Sequence, residues 1–292
     1  MTVAHPHSVE TTRTVNGSVV REFAPHDSDH EQPLVALLHG IGSGSNHWGD
    51  LPHYLDRPAI AIDPREAFGR RASPNMADYA RVVESVITEC ADGQPVDLVG
   101  LSLGGVLAQE IAIRDAKRHP REQLLTKLVL VATIPGYFNQ LSTYEAQHVM
   151  QRSGGHSHIS SHEAAQLFGG DFIDTPELAD TLGLTDKIDL TRFNQQRDAL
   201  MGYIGLRQML SMLPFAFGRD PISSISAPTL ILGGSPDPMT PWRNAVALHR
   251  GIKGSELRRF DQGGHLFAVT RPQETAGVIT PFLNRGRSSA ST

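Results

Sequence analysis

One serine of this chain stands where a hydroxyl can be made into a nucleophile. Residues Val96 to Ala112 read VDLVGLSLGGVLAQEIA, an apolar run, a glycine-rich bend and a helix-like pattern, with Ser102 between Gly100 and Gly104. Strand, G-x-S-x-G and helix in that order is the context of a nucleophile elbow. The turn must be sharp enough to lift the serine above the strand ends, so the positions two before and two after it tolerate only small side chains. The helix that follows points its first N–H groups at the same spot, which favours negative charge there. The five-residue pattern alone also fits an ordinary strand-to-helix connection, so its partners decide.

A hydroxyl needs a base to take its proton. Of fourteen histidines, His265 is singled out by FDQGGHLFAV, which places it in a loop just beyond the last expected strand. Loops at the carboxyl ends of parallel strands are where such sheets carry chemistry. The base needs an orienting acid, and LILGGSPDPMTP offers Asp237 one helix and one strand earlier. Asp261 is the rival, but a strand-end position suits a turn or cap better. Backbone donors for an oxyanion are expected at Ile41, with Gly42 as the second choice, and at Leu103, because LLHGIGSGSNHW makes a tight turn after a strand. Candidates for the substrate pocket are His39, Gly40, Trp48, Phe138, Phe168 and Met239.

Other reactive residue types read as structural. Cys90, the one cysteine, ends an amphipathic stretch and is expected to be a buried thiol. His158 and His162, with His156 nearby, have helical metal-ligand spacing but no accompanying acid or cysteine set, so no metal is expected. No G-K-[ST] or G-x-G-x-x-G follows the glycine-rich loops, and no cofactor is expected.

The elements that must position these residues follow from apolar patterning. Strands are expected at Ser18–Phe23, Leu34–His39, Ala59–Asp63, Val96–Gly100, Lys127–Ala132, Thr229–Gly233 and Glu256–Phe260. Several are apolar on both faces, as in strands covered by helices on both sides. Helices are expected at Met76–Cys90, Leu103–Arg118, Pro241–His249 and Pro272–Leu283. The alternation predicts an α/β fold with a mostly parallel, doubly wound sheet. It stops after Thr133 and resumes at Thr229, so residues 15–133 and 222–285 are assigned to the core and 134–221 to a helical cap inserted between core strands. Residues 1–14 and 286–292 are polar and expected to be disordered tails.

Composition sets limits. The 292 residues carry a net charge of −5 and 20% charged side chains, which gives no reason to expect nucleic acid as a partner. No apolar run is long enough for a membrane span. The N-terminal residues lack a signal-peptide core, and the lone cysteine fits a reducing compartment, so a cytoplasmic location is expected. Oligomeric state is not legible.

With Ser102, Asp237 and His265 in that order, the chain resembles the α/β-hydrolases. Within them it is similar to intracellular poly(3-hydroxyalkanoate) depolymerases, through DQGGHLFAVTRPQE, GGSPDPMTPWRNAVAL, LVLVATIPG and QLFGGDFIDTPEL. The resemblance implies hydrolysis of a 3-hydroxyacyl polyester or oligoester by a Ser-His-Asp triad and an acyl-enzyme. Leu103 stands where those enzymes usually carry tryptophan, and Ser235–Pro236 where two further aspartates are common. The expected substrate is therefore a small-molecule or oligomeric acyl ester, with thioesters and lactones included. Acyl transfer, a lyase or cyclase reaction, and a non-catalytic ligand-binding role remain the alternatives, since fold does not fix function.

Overall fold

Strands that are apolar on both faces need cover on both sides, and this chain supplies it. The computed structural model describes residues 8–25, 32–64, 74–135, 161–175, 178, 195–203 and 221–286. Its strands are β1 Ser8–Val15, β2 Ser18–Pro25, β3 Val35–Leu38, β4 Ala59–Asp63, β5 Val96–Leu101, β6 Leu125–Val131, β7 Thr229–Ser235 and β8 Glu256–Asp261. They form one sheet in the order β1-β2-β4-β3-β5-β6-β7-β8. From β4 to β8 every pairing is parallel; the β1–β2 and β2–β4 pairings are antiparallel, so β2 alone runs against the other strands.

The period-2 alternation of side chains divides the core in two. Ala36, Leu38, Ile60, Ile62, Leu98 and Leu130 face helices α2 (Met76–Cys90) and α3 (Leu103–Asp115). Leu37, Ala61, Val99, Val131 and Leu232 face α1 (Leu51–Tyr54) and the C-terminal helices. The alternation expected from sequence is therefore a doubly wound sheet in fact. At the amino ends of the strands, Arg57 and Asp97 pair at 2.8 Å with both side chains fully buried. The carboxyl ends are left for the loops that carry the candidate site.

Between β6 and β7 the described residues are mainly helical: α4 Ser161–Phe168, α5 Asp171–Asp174 and a stretch at 195–203. After β7 come α6 Trp242–Gly251, then β8, α7 Phe267–Thr270 and α8 Pro272–Asn284. No helix among the described residues is long and apolar enough to cross a membrane.

One expectation is corrected. Residues 1–14 were expected to be a tail, yet Ser8–Val15 is a full edge strand hydrogen-bonded to β2. Its side chains are mostly exposed, so no apolar alternation marks it. The signal that could have found it is Asn16–Gly17, both at positive φ (49° and 76°). Such a pair closes a two-residue hairpin whose twist suits its strands.

Candidate active site

Ser102 sits directly after β5 and caps α3, with φ 54° and ψ −116°. A non-glycine residue there is strained, at a cost of about 1–3 kcal/mol, and persists only where its surroundings over-determine it. They do here. The Ser102 N–H donates to the Val131 carbonyl at 2.9 Å, and the Thr133 hydroxyl donates to the Ser102 carbonyl at 2.6 Å. A Cβ on Gly104 would lie 2.1 Å from the Leu38 carbonyl oxygen, so α3 approaches β3 only because that residue has no side chain.

At the ends of β7 and β8 the structure brings Asp237 and His265 together. His265 Nδ1 lies 2.9 Å from Asp237 Oδ2, with both side chains buried. The second carboxylate oxygen accepts the Thr240 N–H at 2.8 Å, while the Thr240 hydroxyl donates to Oδ2 at 2.7 Å. The carboxylate is thus fixed from three sides, and Nδ1 is committed to it, which leaves Nε2 as the nitrogen open to other chemistry. Asp261, the rival, is exposed and paired with Arg259 at 2.8 Å.

The inserted segment grips both loops. The His265 N–H donates to the Phe168 carbonyl at 2.6 Å, and the two rings lie parallel at 6.4 Å between centroids. Phe168, expected in the pocket, lies against the imidazole. Gly170, at φ 54°, passes so close to the histidine loop that a Cβ would stand 2.3 Å from the Gly264 nitrogen. Next to it Asp171 pairs with Arg271 at 2.6 Å, and Arg271 also donates to the carbonyls of Asp261 and Gln262.

The loop after β3 turns toward the serine. A Cβ on Gly40 would lie 3.5 Å from Ser102 Cβ and 3.9 Å from His47 Nε2. His39 is buried, with Nδ1 2.7 Å from the Gly40 carbonyl and Nε2 3.6 Å from Asp63. The Gly42 N–H is taken by Gln196 Oε1 at 2.7 Å. Among the described residues the N–H groups of Ile41 and Leu103 have no such acceptor, so Ile41 rather than Gly42 is the available donor. Beside Leu103 lies a largely apolar void lined by Leu38, His39, Met76, Tyr79 and Gln196.

The remaining candidates are dispersed. Trp48 is fully buried in the core cluster with Leu51 and Leu55, and Met239 is a half-buried neighbour of that cluster. Phe138, His156 and His158 lie outside the described residues. His162 is exposed on α4. Cys90 is half-buried, and burial pushes its thiol pKa up, away from thiolate character. Sequence reasoning missed Thr240, Gln196, His47 and the Asp171–Arg271 pair. Only Thr240, three residues after an aspartate in a proline-rich loop, carried a local signal, that of a side-chain-capped turn.

These loops sit on a sheet that known proteins share. The alpha/beta hydrolase family matches residues 35–278. A poly(3-hydroxyalkanoate) depolymerase from Ectopseudomonas oleovorans is 31% identical over 294 residues, covering 98% of this chain and 95% of its own. A pimeloyl-[acyl-carrier protein] methyl ester esterase from Neisseria meningitidis is 26% identical over 264 residues, covering 86% and 93%. Among solved structures, a meta-cleavage product hydrolase from Pseudomonas fluorescens IP01 superposes with a TM-score of 0.71 at 18% identity, covering 95% of this chain and 98% of that one. The chain belongs to the alpha/beta hydrolase family of enzymes.

Proposed function

We propose that the chain hydrolyses carboxylic esters with Ser102 as nucleophile, His265 as base and Asp237 as its orienting acid. The observation that carries this reading is the buried His265–Asp237 contact at 2.9 Å, on the end of the sheet that also holds Ser102. Ser102 Oγ attacks the ester carbonyl as His265 Nε2 takes its proton. The oxyanion is held by the Ile41 and Leu103 N–H groups. His265 then returns the proton to the leaving alcohol, and the acyl group stays on Ser102. Water, losing a proton to the same nitrogen, releases the acid and restores the serine.

The void beside Leu103 supports an apolar acyl side, and Gln196, from the stretch between β6 and β7, lines it as well. A 3-hydroxyacyl oligoester falls within this substrate class on the strength of the depolymerase relative; smaller esters, thioesters and lactones fall within it as well. The test is fluorophosphonate labelling and ester turnover. Wild type is expected to be labelled at Ser102, and Ser102→Ala to lose labelling and roughly 10⁶ in kcat. Turnover of Ser102→Ala within about tenfold of wild type would refute the reading.

A further inference from the structure

His47 belongs to the 3-10 turn Ser45–Trp48, which the buried Trp48 anchors to the core just after the Gly40 loop. Its Nε2 is buried and has no hydrogen-bond partner among the described residues. Native structures rarely leave such an atom unpaired without a reason. The atom lies against the Gly40 face on which Ser102 also rests. The charges of His39 and His265 both act on the ring, so it stands near the candidate base too. Burial first, and then those two histidines, push its pKa down to about 3. The imidazole is therefore neutral near pH 7, and Nε2 can donate or accept according to tautomer.

We propose that His47 Nε2 is a specificity contact for an oxygen carried on the second or third carbon of the acyl group. The inference rests on the assignment of Ser102 as nucleophile. That assignment puts the attacked carbonyl carbon next to Ser102 Oγ, and its oxygen is already met by two backbone donors. A Cβ on Gly40 would stand within 4 Å of both Ser102 Cβ and His47 Nε2, so the group offered to Nε2 lies along the acyl chain from the attacked carbonyl. A hydroxyl, or the carbonyl-linked oxygen of a following ester unit, fills the vacant hydrogen bond. A plain alkyl chain leaves it empty, and a site built for a hydrogen bond discriminates against a substrate that lacks it.

The experiment compares kcat/KM for two esters with one leaving group, p-nitrophenyl 3-hydroxybutanoate and p-nitrophenyl butanoate, on the full chain. The readout is the preference ratio of wild type against His47→Ala and His47→Asn, so a general loss from altered packing cancels. His47→Ala is expected to lower the ratio about tenfold or more, the scale of one hydrogen bond, and His47→Asn to recover part of it. Fluorophosphonate labelling of Ser102 is measured on the same samples. Labelled protein with an unchanged ratio, or a wild type without preference, overturns the inference alone. That wild-type measurement decides even if the variants fail to fold. An unlabelled wild type removes the nucleophile assignment, and this inference with it.

Discussion

The contact of Gln196 with the Gly42 N–H shows how one side chain can aim groups it does not touch. Gln196 is buried and its oxygen accepts that N–H at 2.7 Å, so the peptide before it, which carries the Ile41 N–H, is held in register with the elbow. Gln196→Ala is expected to lower kcat by about tenfold while KM stays near wild type, since a misaimed oxyanion donor is felt in the transition state and losing one outright costs roughly 10²–10³. Gln196→Glu, which keeps an acceptor, should restore part of the rate. Steady-state kinetics on one ester checks the split; a change confined to KM would contradict the positioning role. At this scale the sequence was informative where chemistry is concentrated in a local pattern. Gly100, Ser102 and Gly104 announce the elbow because sterics act within five residues. Gln196 and His47 announce nothing, since their partners lie across the fold and amide or imidazole side chains are common on surfaces.

Among elements, the seam between α4–α5 and the two loops after β7 and β8 is the most constrained. Gly170 and Gly264 nearly touch backbone to backbone, the Phe168 carbonyl holds His265, and Asp171 pairs with Arg271. A methyl at Gly170 has no space and would also sit at a positive φ that favours glycine. Gly170→Ala is therefore expected to push the histidine loop off its place and reduce kcat at least tenfold, with the sheet still folded by circular dichroism. Asp237 and the imidazole would then no longer share a hydrogen-bonded proton, which proton NMR of the imidazole N–H checks. The strands were legible because burial on both faces leaves unbroken apolar runs, as in VALL at β3 and AIAID at β4. Edge strand β1 was not, because exposure removes that pattern and leaves only the Asn16–Gly17 turn as a clue. The seam was invisible in sequence, since glycine pairs mark a close approach without naming what approaches.

For the whole molecule, the depressed pKa of His47 ties stability to acidity. Its pKa falls from the ordinary 6.5 to about 3 on folding, so between those values the unfolded chain binds more protons than the folded one. Stability contributed by keeping the ring neutral is present above 6.5 and is lost as pH falls through that window. Denaturant midpoints at pH 7, 5 and 4 should decline less steeply for His47→Asn than for wild type. Parallel declines would show that the ring protonates in the folded state without penalty.

The proposed nucleophile and the proposed base are secured by different parts of this chain. Ser102 is locked by β5, β6 and α3, all within the sheet and its helices, whereas the pose of His265 is completed by Phe168 and its glycine neighbours from outside the sheet. Under the proposed function, exchanging the segment that carries Phe168 and Gly170 to admit new molecules would therefore retune proton transfer as well as selectivity, and a chimera that selects well but turns over poorly would be the natural first product of such engineering.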